Sequence, residues 1–139
     1  MSDTVTGSCL CGKISYSFDK SQVISAHHCH CTDCQKSTGC GKATIVMVPE
    51  PAMQMTGELK KYTVQGEGGS HVSRGFCDHC GSPMMSFIEE LPGLVIVKAG
   101  SMDDSSWIKI TSSFWSDTAQ TWSPVDAAYP VSARNPETV

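Results

Sequence analysis

Seven of the eight cysteines in this chain fall into three tight groups. Cys9 and Cys11 form a C-x-C, Cys29, Cys31 and Cys34 a C-x-C-x-x-C, and Cys77 and Cys80 a C-x-x-C. Thiols this close along the chain rarely meet the Cα separation and Cβ direction that a disulfide demands. In three separate groups they can converge on a small ion. Whatever the fold, it must bring distant segments together around metal. Seven ligands divide as four plus three: one tetrahedral site closed by thiolates, and one with a coordination position left over. A closed zinc site holds a fold together, and an open one can do chemistry.

The rest of the composition decides the setting. A chain of 139 residues fits one domain, small enough to benefit from a metal staple. Hydrophobic content of 40% with 17% charged residues is globular, which excludes wholesale disorder. Net charge is −4 and the longest basic run is Lys60 with Lys61, a balance that argues against nucleic acid or an anionic membrane as partner. The polar start, MSDTVTG, lacks the apolar stretch of a secretory signal. No apolar run reaches the ~18 residues needed to cross a bilayer. The chain reads as a cytoplasmic protein, where free thiols in such patterns are metal ligands. A secreted disulfide framework is the alternative on the same spacing.

Cys9 and Cys11 precede an alternation of Ile14, Tyr16 and Phe18, which predicts a strand. In extended backbone, residues i and i+2 share a face, so both sulfurs can point at one ion. The middle group is expected to do the same and then turn, with a short helical turn over Asp33 to Thr38 ended by Gly39. Strands are predicted at Ala43 to Val48, Gly57 to Val64, Val72 to Phe76, Met84 to Ile88 and Leu94 to Val97. Between them lie a glycine-rich tip at Gly66 to Gly69 and a knuckle at Cys77 to Gly81. Trp107, Ile108, Ile110, Phe114, Trp115 and Trp122 are expected as late core or pocket walls. Many short strands, scarcely any helix and no internal repeat predict a mainly β domain.

Cys9, Cys11, Cys77 and Cys80 are assigned to the closed site, tying the two ends of the core together. Another pairing of the groups remains compatible with the spacing. Cys29, Cys31 and Cys34 are assigned to the open site. Its fourth position can hold water or an incoming thiol, and three thiolates suit such an ion to thiol chemistry. His27, His28, His30 or Cys40 can instead close it. On a strand, however, His28 and His30 point away from the cysteines, and Cys40 is expected as a small buried hydrophobe. His71 and His79 are expected at the surface, Met53, Met55, Met84 and Met85 in the core, and Asp103 with Asp104 in a turn. Lys36 and Lys42 are candidates to hold a substrate carboxylate.

Four segments together resemble the glutathione-dependent formaldehyde-activating enzyme family: Gly7 to Gly12 (GSCLCG), Cys29 to Gly39 (CHCTDCQKSTG), Phe76 to Pro83 (FCDHCGSP) and Ala99 to Asp104 (AGSMDD). The resemblance implies a zinc-stapled β-tent of small antiparallel sheets with few short helical turns. It places the family domain at residues 5–125, leaving 126–139 as a tail packed on the surface or disordered. It also implies two zinc ions per chain, structural on Cys9, Cys11, Cys77 and Cys80 and catalytic on Cys29, Cys31 and Cys34. The implied activity is that of a carbon–sulfur lyase, condensing glutathione or a similar small thiol with formaldehyde to an S-hydroxymethyl adduct. A non-catalytic, zinc-stabilised binding module is the competing class. Two positions depart from the family pattern. Ser113 and Phe114 stand where many relatives carry a histidine before the aromatic residue matching Trp115, and Cys40 stands where a small apolar residue is usual.

Overall fold

The computed structural model describes residues 3–136. Two sheets carry the fold. Strands β1 (Thr4–Ser8) and β2 (Ser15–Asp19) form an antiparallel hairpin, and β5 (Gln54–Thr56) pairs with β2 to complete a three-stranded sheet. The larger sheet has seven strands. In spatial order these are β10 (Ser112–Phe114), β3 (Ser25–Cys29), β4 (Ala43–Pro49), β9 (Leu94–Lys98), β8 (Pro83–Ile88), β7 (His71–Phe76) and β6 (Lys60–Gln65). All its pairings are antiparallel except β10 with β3, which run parallel. The molecule is mainly β. One helix longer than a 3-10 turn is described, α1 (Thr32–Thr38), and Gly39 ends it in the left-handed conformation at φ 70°. Among the described residues no helix is long and apolar enough to cross a membrane.

The apolar runs at β4 and β9 have a physical reason. Both strands lie in the middle of the larger sheet and are covered on both faces, so both parities are mainly apolar. Val46, Val48, Val95 and Val97 face the small sheet and pack with Val5, Ile14, Tyr16 and Phe18. Ile45, Met47 and Ile96 face the other way and pack with Phe114, Trp115, Cys29 and Cys34. The sheet therefore separates a structural core from a second apolar face that carries the middle cysteine group.

Several expectations change. Cys9 and Cys11 sit in the turn between β1 and β2, closed by Gly12 N–H to Cys9 O and by Cys9 N–H to Ile14 O, instead of on a strand. Strands β1, β5 and β10 carried no recognised signal. Trp122 is exposed and Met55 largely so, while Met84 and Met85 are fully buried. The chain after Pro130 lies along β10: Ser113 N–H donates to Pro130 O, Ser132 N–H to Ser113 O and Trp115 N–H to Arg134 O. The last three residues of the expected tail, 137–139, lie outside the described residues.

Candidate metal centre and cavity

Two sulfur clusters assemble on opposite sides of the larger sheet's core. In the first, the β1–β2 turn brings Cys9 and Cys11 to the β7–β8 turn, which carries Cys77 and Cys80, and one sulfur from each lies within 4.8 Å of the others. Cys9 and Cys11 are 3.6 Å apart and Cys11 and Cys77 3.8 Å, sulfur to sulfur. Tetrahedral zinc with Zn–S near 2.3 Å has an S···S edge of roughly 3.8 Å, so these spacings fit the ion. The turns also aim donors at the sulfurs, as thiolates require: Ile14 N–H reaches Cys9 Sγ at 3.2 Å, and Ser82 Oγ lies 3.2 Å from Cys80 Sγ. The Ile14 bond leads in holding the Cys9 thiol below its ordinary range, and the Ser82 bond in holding Cys80 at about 5. Lys13 and Asp78 clasp the two turns from outside at 3.1 Å.

The second cluster forms where β3 ends. Cys29 is its last residue, Cys31 caps α1 with its sulfur accepting Cys34 N–H at 3.2 Å, and Cys34 lies in the first helical turn. The three sulfurs lie within 4.8 Å of one another, and among the described residues no histidine, carboxylate or further cysteine joins them. Without a cation their ionisations oppose one another. Hydrogen bonds from Cys29 and Cys31 hold Cys34 down at about 2, helped by the charges of Lys98 and Arg74. Hydrogen bonding to Cys31 and Cys34, with burial, drives Cys29 far upward. Cys31 is pushed up to about 11, because the Cys34 sulfur and burial outweigh the lowering bond from Cys29. A divalent ion would remove this conflict by stabilising all three thiolates, so the donor chemistry fits zinc.

Two of the neighbouring histidines, His27 and His28, are engaged elsewhere, whereas both buried ring nitrogens of His30 lack a hydrogen-bond partner in the protein. His27 sits between Ser25 Oγ at 2.7 Å and Ser112 Oγ at 2.8 Å and stacks on Phe114, while His28 Nδ1 meets Thr44 Oγ1 at 2.8 Å. His30 is fully buried, and its carbonyl accepts from Gln35 Nε2 and Thr118 Oγ1. Cys40 is exposed, correcting its expected burial, because it follows the helix-ending Gly39 at the surface. His79 is exposed.

The three-cysteine cluster opens into a cavity of about 630 Å³. Its walls are apolar over much of their extent, with Ile45, Met47, Ile88, Ile96, Phe114 and Trp115 among them. Trp115 is held at φ 58°, a left-handed conformation that an aromatic residue adopts only under constraint. Its Nε1–H donates to Asn135 Oδ1 at 2.7 Å and Arg134 stacks over its ring. Asn135 in turn crowds Gly68, where a Cβ would lie 2.2 Å from Asn135 Nδ2, so the glycine-rich tip and the C-terminal segment close over one rim. The cations lining the cavity are Arg74 and Lys98; Lys36 and Lys42 are not among its lining residues. Sequence reasoning missed Arg74, Ser86 and Lys98. The available signal was the lone hydroxyl of Ser86 and the lone cation of Lys98 within apolar strand segments; Arg74, in a mixed strand, carried no such signal.

The model of the glutathione-dependent formaldehyde-activating enzyme family matches residues 4–118. The chain belongs to this family. A crystal structure of a Rhodobacter sphaeroides protein shares its fold, with a TM-score of 0.55 and 17% identity over 70% of this chain and 87% of that one. No curated protein matches the sequence.

Proposed function

We propose that the protein is a zinc-dependent enzyme of the carbon–sulfur lyase type that joins a small, glutathione-like thiol to formaldehyde or a related aldehyde. Membership of the family supports glutathione-dependent formaldehyde activation in general. One observation carries the finer reading: three thiols, two buried and Cys31 half-buried, converge at the wall of a large cavity, and among the described residues no fourth protein ligand accompanies them. On this reading Cys9, Cys11, Cys77 and Cys80 hold a structural zinc, and Cys29, Cys31 and Cys34 a catalytic one. Zinc bound to the three cysteines supplies a Lewis acid and an available coordination position, which favours a thiolate over a thiol.

The chain's own residues do the rest. Apolar walls keep water from the reacting atoms and strengthen the electrostatics within. Arg74 and Lys98 supply positive charge beside Cys34 and favour an anionic sulfur over a neutral thiol there. Holding thiol and aldehyde in one cavity replaces a bimolecular encounter by a positioned one. In the net reaction the S–H bond breaks, an S–C bond forms at the carbonyl carbon, and the C=O π pair takes up the proton as a hydroxyl. The product is an S-hydroxymethyl thioether, and no oxidant or reductant is required. We further place the protein in the cytosol, where free thiols persist. The functional unit is the expected domain of residues 5–125 together with tail residues through Pro136, since Asn135 and Pro136 line the cavity.

NMR exchange spectroscopy tests the activity directly. Zinc-loaded protein should raise the exchange rate between glutathione, formaldehyde and their adduct above the uncatalysed rate, and Cys31→Ser should abolish the gain. Equal rates with and without loaded protein would overturn the reading.

A further inference from the structure

Three polar side chains face the cavity from neighbouring strands, and the thiol cluster leaves two of them with unmet hydrogen-bonding capacity. Arg74 on β7 lies directly opposite Ser86 on β8, and Ser86 opposite Ile96 on β9. Lys98, two residues on from Ile96, shares that face. Ser86 is 2% exposed, and its Oγ has no hydrogen-bond partner in the protein; neither has the buried Nε of Arg74. Arg74 Nη2 lies 3.8 Å from Cys34 Sγ. Among the described residues no carboxylate forms an ion pair with Arg74 or Lys98. Asp33, Glu67 and Glu90 also line the cavity, but Glu90 is engaged by the backbone N–H and ring of His71.

Orphaned donors in a buried site are costly, and native proteins keep few of them. A planar guanidinium, a hydroxyl and an ammonium on one sheet face match the two oxygens of a carboxylate.

We propose that Arg74, Ser86 and Lys98 form a carboxylate subsite that anchors the anionic end of a substrate beside Cys34. The inference rests on the reading of this cavity as the substrate site, and it adds the chemistry the substrate must carry. Formaldehyde has no carboxylate. The anion therefore belongs to the thiol, as in a peptide thiol with a free C-terminus, or to an aldehyde bearing an acid group, as in a short oxo acid.

Isothermal titration calorimetry on the zinc-loaded protein distinguishes these sources, using S-methylglutathione, its dimethyl ester and glyoxylate as probes. S-methylglutathione has no free thiol and cannot react, so its binding is independent of catalysis. If the thiol carries the anion, the free acid binds roughly ten-fold or more tightly than the ester, and Arg74→Gln removes that difference. If the aldehyde carries it, acid and ester bind alike, whereas glyoxylate binds the wild type and loses roughly ten-fold on Arg74→Gln. Ser86→Ala, a smaller change that guards against misfolding of the arginine variant, weakens the same probe by a few-fold. Lys36→Met, exposed and outside the cavity, leaves binding unchanged. The subsite is overturned if no probe depends on Arg74 or Ser86 in folded variants, or if Lys36→Met weakens binding as much as Arg74→Gln. Carboxylate-dependent binding without accelerated exchange would keep the subsite and sink the activity; accelerated exchange without such binding would do the reverse.

Discussion

Tyr16 shows how one side chain ties the small sheet to the turn that follows β9. Its hydroxyl lies 2.7 Å from Ser101 Oγ, and its ring stands against Gly7 of the paired strand. A Cβ at Gly7 would lie 2.3 Å from Tyr16 Cζ and 2.6 Å from Ser101 O, so no side chain fits there. Burial pushes the Tyr16 phenol up to about 12 from an ordinary value of 10. The unfolded chain then ionises first as pH rises, binding fewer protons than the native state between those values. Stability falls with rising pH in that window, by about 2–3 kcal/mol in all. Tyr16→Phe should flatten this part of the profile relative to wild type, as measured by urea unfolding from pH 9 to 12. Gly7→Ala should lose about 1–3 kcal/mol through overpacking, read as a lower thermal midpoint.

Among the elements, β10 has the most conditional existence. It is three residues long, parallel to β3 on one side and bound on the other by chain from Pro130 to Arg134. Its following residue, Trp115, takes a left-handed backbone that Asn135 and Arg134 brace. Removing residues 130–139 should lower stability by about 1–3 kcal/mol and shift tryptophan emission to the red as Trp115 meets water. Unchanged emission with unchanged stability would show that the C-terminal segment braces nothing. The same element explains a limit of sequence reading. Strands β4 and β9 announced themselves through unbroken apolar runs, because both faces are covered. Three-residue β10 and β5 have too few positions for any period to register. The Cys9–Cys11 spacing was read as extended, yet the turn that Gly12 permits at φ 82° brings the same two sulfurs together.

Across the whole molecule, the two sulfur clusters should answer differently to loss of metal. The four-cysteine cluster joins a turn of the small sheet to a turn of the large one, closing a long loop in the unfolded chain. Structural zinc sites can supply roughly 10–16 kcal/mol of apparent binding energy, as large as the stability of many domains. Cys77→Ser should therefore leave the chain largely unfolded at 37 °C by circular dichroism. Cys31→Ser should keep the fold while zinc per chain, by elemental analysis, falls from about two to about one. Unfolding of the second variant with folding of the first would exchange the two roles.

The three cysteine groups and, through the strand alternation, the mainly β character were already legible in the sequence, because both patterns are short-range and written into neighbouring residues. The cavity was a different matter. Arg74, Ser86 and Lys98 belong to three strands, and only cross-strand register sets them on one face beside Cys34. Lys36, Lys42 and Cys40 are close to the cluster in sequence but lie outside the cavity lining, because Lys36 is on the exposed side of α1 and the chain turns away after the helix. Nearness along the chain constrains what can share an ion; nearness across a sheet is created by folding, and it decides what a substrate would meet.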